Sequence, residues 1–96
     1  MTTWFVSRHP GALCWMQRHG PGFDRHVQHL DVHDVQLCDR VIGTLPLNLA
    51  AAVCERGAEY WHLSLEPSAA ERGRELSAED LEGLGASLRR FDIRAI

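Results

Sequence analysis

One pattern constrains this chain more than any other: twice, a short apolar run ends in a polar turn that opens directly into a helical segment. Thr2 to Ser7 (TTWFVS) is β-rich and apolar, and Arg8-His9-Pro10-Gly11 leads into Gly11 to His19 (GALCWMQRH). Leu13, Met16 and Gln17 recur along that helical segment, and Gly20-Pro21-Gly22 ends it. The pattern repeats at Arg40 to Gly43 (RVIG), a short buried strand. Thr44-Leu45-Pro46 then opens Leu47 to Arg56 (LNLAAAVCER), with Gly57 as the stop. Strand–helix–strand units of this kind build parallel sheets, because a crossover helix returns the chain in the same direction.

The remaining segments complete the order β-α-β-β-α-β-α-β. Phe23 to Leu30 holds a polar strand, and Asp31 to Asp39 connects it onward. Glu59 to Leu65 (EYWHLSL) is the fourth strand. Pro67 to Leu76 reads as an exposed loop carrying Arg72 and Arg74. Ser77 and Asp80 resemble a capping box, and Leu81, Leu84 and Leu88 mark a third helix to about Arg90. Phe91 to Ile96 alternates as an edge strand would. The expected fold is a small α/β, Rossmann-like domain over residues 1–96, with a mainly parallel central sheet flanked by helices.

Composition narrows the class of function. With 96 residues, 45% hydrophobic and 24% charged, the chain suits one modest globular core. No apolar run reaches membrane-spanning length and no secretory signal opens the chain, so a soluble cytoplasmic protein is expected. Cys14, Cys38 and Cys54 are odd in number and widely spaced, which suits reduced thiols. Core packing is the plain reading of Cys14 and Cys54. The net charge of −3 argues against coating long DNA or RNA, yet leaves room for a small anion in a local pocket. All ten basic residues are Arg, whose forked donors suit phosphate.

In open α/β sheets the ligand sits beyond the carboxyl ends of the strands. That rule selects Ser7, Arg8 and His9, followed by Gly11, and the second junction Gly43, Thr44 and Leu45, with Asn48 one turn further on. A hydroxyl, a guanidinium and an imidazole at a helix N-terminus suit a phosphate group. The plainer alternative is a helix cap beside a surface arginine. Thr44 either caps the second helix or offers its hydroxyl to a ligand. His26, His29 and His33 imitate a metal cluster, but His26 and His29 fall on opposite faces of a strand and complete no zinc spacing. No metal and no cofactor are therefore expected. His62 shares a strand face with Ser64, and packing is its plain reading. Arg72 and Arg74 are ordinary solvated side chains unless their loop folds over an anion.

Four stretches in order, WFVSRHPGAL (4–13), HLD (29–31), VIGTLPLNLAAAVCERGAEYWHLSLE (41–66) and RGRELSAEDL (72–81), resemble the CRISPR-associated Csx-sixteen family. The resemblance runs from about Thr3 to Leu81. It implies a homodimer of CARF-like domains and a ring nuclease that degrades cyclic oligoadenylate, with cyclic tetra-adenylate the expected substrate, switching off type III CRISPR signalling. The family's motif positions fall on Ser7, Arg8, His9, Gly43 and Thr44. The histidine-rich stretch 24–36 departs from the pattern and is assigned no role.

Such a substrate carries its own nucleophile, the ribose 2′-hydroxyl. The protein has only to bring that oxygen in line with phosphorus and stabilise the developing charge, without a metal, leaving 2′,3′-cyclic phosphate ends. Two alternatives stay open. One is a non-catalytic module that binds the same ligand as a sensor or sponge. The other is a small phosphomonoesterase, faintly suggested by the Arg8-His9 pair after the first strand.

Overall fold

In the computed structural model, which describes residues 1–64, 78–79 and 85–96, a five-stranded sheet carries a helix on each face. The elements run β1 (Thr3–Val6), α1 (Pro10–His19), β2 (Arg25–Val27), a 3-10 turn (Val32–Asp34), β3 (Arg40–Gly43), α2 (Leu47–Glu55), β4 (Glu59–Ser64) and β5 (Ser87–Phe91). The strand order is β2-β1-β3-β4-β5, parallel except for β5, which returns antiparallel to β4. This is a mostly parallel α/β arrangement compatible with a Rossmann-like fold.

Alternation along the strands explains why both faces are covered. Trp4, Val6, Val41 and Tyr60 point to one side, where they pack with Ala50 and Val53 of α2. Phe5, Ile42 and Leu63 point to the other, against Ala12, Trp15 and Met16 of α1. Phe5, Val41, Ile42 and Val53 are fully buried. Each such side chain contributes roughly 1.5–3 kcal/mol relative to exposure. The face of α1 therefore differs from the one expected: Gln17 is exposed, and Ala12 and Trp15 take the core positions.

Because α1 lies on one face and α2 on the other, the chain moves outward from β1 to β2 and then returns to build β3 and β4. The direction of winding reverses between β1 and β3, so their carboxyl ends form the switch point at which open α/β sheets bind ligands. Gly43, at the end of β3, lies so close to β1 that a Cβ atom there would come within 2.5 Å of the Val6 carbonyl oxygen. Its lack of a side chain serves this strand-to-strand approach.

Several expectations need correction. The second strand is only three residues long; its polar sequence offers just Val27 to the packing of the core. Cys14 is exposed on α1, since its turn of the helix faces away from the sheet, while Cys54 is half-buried beside β5. Leu88 to Arg90 are not helical but part of β5, and Asp92 to Ile96 lie outside any strand. Gly85, at φ +70°, takes a backbone conformation that no right-handed helix tolerates, and hydrogen bonding to β4 claims the residues after it. The loop at 67–76 with Arg72 and Arg74, and Ser77, Asp80, Leu81 and Leu84, lie outside the described residues. Among the described residues no helix is long and apolar enough to cross a membrane.

Candidate functional site

Beyond the carboxyl ends of β1 and β3 the surface opens into a cleft of about 540 Å³, the size of a small-molecule site. Its floor is apolar, with Val6, Ala12, Leu30, Leu49 and Leu63. Its polar wall contains Ser7, Arg8, His9, Gln28, His29 and Thr44. Six of the expected site residues therefore meet here, Ser7, Arg8, His9, Gly43, Thr44 and Leu45. Gly11 and Asn48 do not line the cleft.

The first wall is built by Ser7. Its backbone N–H continues the ladder to the Val27 carbonyl (3.0 Å), and its Oγ accepts the N–H of His9 (3.1 Å). That bond turns the chain from strand to helix. The Ser7 carbonyl is engaged as well, 2.8 Å from Nε2 of His26. A carbonyl can only accept, so the imidazole carries its proton on this nitrogen. His26 also stacks on Phe5, with ring centroids 5.6 Å apart. The histidine-rich stretch thus supplies two neighbours of the site, His26 bracing β1 and His29 lining the cleft.

Arg8 and His9 are exposed, and among the described residues neither side chain has a hydrogen-bond or ion-pair partner. His9 occupies the N-cap of α1 in extended conformation, and its carbonyl accepts from Ala12 and Leu13. Its ring makes no capping bond, and Pro10 holds the first helical position.

The second wall is the turn Gly43–Pro46. Thr44 does not cap α2; Pro46 occupies the N-cap, and Leu47 begins the helix. The Thr44 hydroxyl instead makes a long bond, 3.5 Å, to the Leu63 carbonyl. Tyr60 holds this turn, with its hydroxyl 3.0 Å from the Leu45 N–H and 3.3 Å from the Gly43 carbonyl. Burial pushes the Tyr60 phenol up, so it stays protonated. In the sequence Tyr60 reads as an ordinary apolar strand residue. Only its register beside Val41 of β3, which the sheet supplies, brings it under the turn.

The electrostatic outcome is distinctive. Neither helix has a side-chain cap at its N-terminus, and neither has an acidic residue in its first turn. Pro46 has no side-chain acceptor, so the first N–H groups of α2 stay available, whereas at α1 Pro10 has no N–H, Ala12 and Leu13 donate to the His9 carbonyl, and only the Gly11 N–H is left. Two positive helix ends on adjacent strands, with the Arg8 guanidinium nearby, favour an anion in the cleft. Among the described residues no group of three or more His, Cys, Asp or Glu side chains gathers closely enough to hold a metal ion; His33 pairs with Asp31, 3.0 Å away.

No curated protein and no solved structure matches the chain. The model of the family "Putative CRISPR-associated protein (Cas_VVA1548)" matches residues 4–94. That span takes in both junctions, the cleft between them and every strand except the first residue of β1. This chain belongs to that CRISPR-associated family.

Proposed function

We propose that the protein is a metal-independent ring nuclease, binding and cleaving a cyclic oligoadenylate, with cyclic tetra-adenylate as the expected substrate. One observation carries this reading: two uncapped helix N-termini and the unpartnered Arg8 converge on one cleft with an apolar floor. Purine faces suit the floor, and a phosphodiester suits the helix ends. The CRISPR-associated family supplies the biological setting, and the Csx-sixteen resemblance supplies the ligand.

In this mechanism the N–H groups and Arg8 hold the scissile phosphate and bend the ring until the neighbouring ribose 2′-hydroxyl lies in line with phosphorus. The 2′-oxygen bonds to phosphorus, and the bond to the 5′-oxygen breaks. His9 takes the proton from the 2′-hydroxyl or delivers one to the departing 5′-oxygen. The products are linear fragments with a 2′,3′-cyclic phosphate. Ser7 acts in positioning, since its oxygen already accepts the His9 N–H.

A ring of four nucleotides is larger than one cleft of about 540 Å³. A two-fold dimer that joins two clefts would give such a ring matching halves. Leu47, an apolar side chain 72% exposed at the first turn of α2, suits a contact between copies. Light scattering at micromolar concentration should give a dimer; a monomer unchanged by ligand would refute this part.

The decisive experiment incubates pure protein with cyclic tetra-adenylate, with and without EDTA, and identifies products by mass. Cyclic-phosphate fragments in both samples are expected. Loss of activity in EDTA, restored by a divalent ion, would overturn the metal-free mechanism. The unpartnered His9 ring, with no second group to orient it, favours one alternative: tight binding without products would make the protein a sponge or sensor.

A further inference from the structure

We infer that Tyr60 is a positioning residue for the cleft, its hydroxyl clamping the Gly43–Leu45 turn under the control of His62. Tyr60 is 1% exposed and lies beneath the sheet surface, away from any position where it could touch a ligand. Its hydroxyl nevertheless meets three groups: the Leu45 N–H at 3.0 Å, the Gly43 carbonyl at 3.3 Å and Nδ1 of His62 at 2.6 Å.

A hydroxyl has one proton to donate and can accept two. The Leu45 N–H can only donate, so the oxygen accepts it. The proton then has two candidate acceptors, the Gly43 carbonyl and His62 Nδ1. The shorter contact claims it when the imidazole holds its own proton on Nε2. His62 thereby fixes the torsion of the hydroxyl and aims a lone pair at Leu45. Phe91 packs edge-on against the His62 ring, with centroids 6.0 Å apart, and limits its movement.

The clamped turn carries three cleft residues, Gly43, Thr44 and Leu45, and delivers the chain to the N-cap of α2. The bond to Leu45 therefore sets where one of the two helix ends points. Its consequence for cleavage rests on the ring-nuclease reading; the clamp itself does not.

Amide hydrogen exchange in the free protein tests the clamp, and single-turnover cleavage of cyclic tetra-adenylate tests its use. Tyr60→Phe keeps the ring and removes the hydroxyl. The Leu45 amide should exchange about fivefold faster or more, the effect of one lost hydrogen bond, while Val41 and Ile42 stay protected. His62→Leu should loosen the same amide by a smaller factor. His62→Asn, which keeps an acceptor near the Nδ1 position, should restore it.

Unchanged Leu45 exchange in Tyr60→Phe overturns the clamp. If that variant fails to fold, the His62 pair decides: equal exchange in the Leu and Asn variants overturns it. Slower cleavage in Tyr60→Phe with intact core protection supports positioning, and wild-type cleavage beside accelerated exchange overturns it. Accelerated exchange in Tyr60→Phe, with no cleavage even by the wild-type protein, leaves the clamp standing and refutes the nuclease reading instead.

Discussion

At the amino-terminal edge of the sheet, the Asp39 carboxylate accepts from the Thr2 N–H (2.8 Å), the Gln36 N–H (3.0 Å) and the Trp4 indole (3.2 Å). At the carboxyl edge, Arg8 and the His9 ring have no partner among the described residues, and two helix ends lack caps. The Asp39 carboxylate is satisfied internally, whereas Arg8 and His9 face solvent. On the proposed function this divides the labour of a small domain: stability rests on the satisfied carboxylate, and binding on the open cleft.

The sharpest test of that division is Asp39→Ala. It strands three donors around a site only 2% exposed and should cost about 3 kcal/mol or more. In a domain this small that lowers Tm by on the order of 10–20 °C, as calorimetry would show. Ligand affinity of the folded fraction should hardly change; a parallel loss of affinity would break the division between the ends. Acid should imitate the substitution. Burial alone would raise the Asp39 carboxyl, but the N–H groups of Gln36 and Thr2 and the Trp4 indole outweigh it and hold it below the usual carboxylate range. Its stabilisation is complete above about pH 4 and is lost as pH falls through the lowered folded value. A melting profile of Asp39→Ala should lack this acid-side slope.

At the other end the order of effects reverses. His9→Ala should slow single-turnover cleavage by about 10²-fold while keeping most affinity and leaving Tm nearly unchanged. Cleavage at the wild-type rate would leave positioning alone as the mechanism. Arg8→Ala should weaken binding at least about tenfold, measured by titration of cyclic tetra-adenylate at fixed salt. Undiminished affinity would show that the guanidinium serves another purpose than holding phosphate.

Much of this architecture was legible in the residues because local and global signals agreed. The runs at 2–7 and 40–43 are apolar, the turns after them carry Gly and Pro, and Gly20 and Gly57 stop the helices that follow. Both arms of the cleft follow from that pattern and the switch-point rule. Legibility failed where tertiary pairing decides. Leu88 belongs to a leucine spacing that suits a helix, yet its register opposite Leu63 makes it a strand residue. The strand expected within 23–30 exists, but its polar residues do not show its bounds, which pairing with β1 limits to Arg25–Val27. The start of α2 at Leu47 was legible, but not the role of Thr44: Pro46 takes the N-cap, and the Thr44 hydroxyl turns to the Leu63 carbonyl. Tyr60 and His62 are adjacent on one strand face, and nothing in their spacing announces a turn 15 residues away in the chain.

The close approach at Gly43 has a mechanical consequence. With the Val6 carbonyl filling the space a side chain would need, the ends of β1 and β3 cannot slide or splay without breaking the sheet between them. The two strand ends from which the chain departs toward α1 and α2 are thus fixed at the spacing of adjacent strands, about 4.8 Å. A receptor of that kind does not mould itself around its guest. On the ring-nuclease proposal, the cyclic nucleotide, with its many rotatable bonds, would be the partner that changes shape, and the distortion would be delivered to the ring and not dissipated in the host.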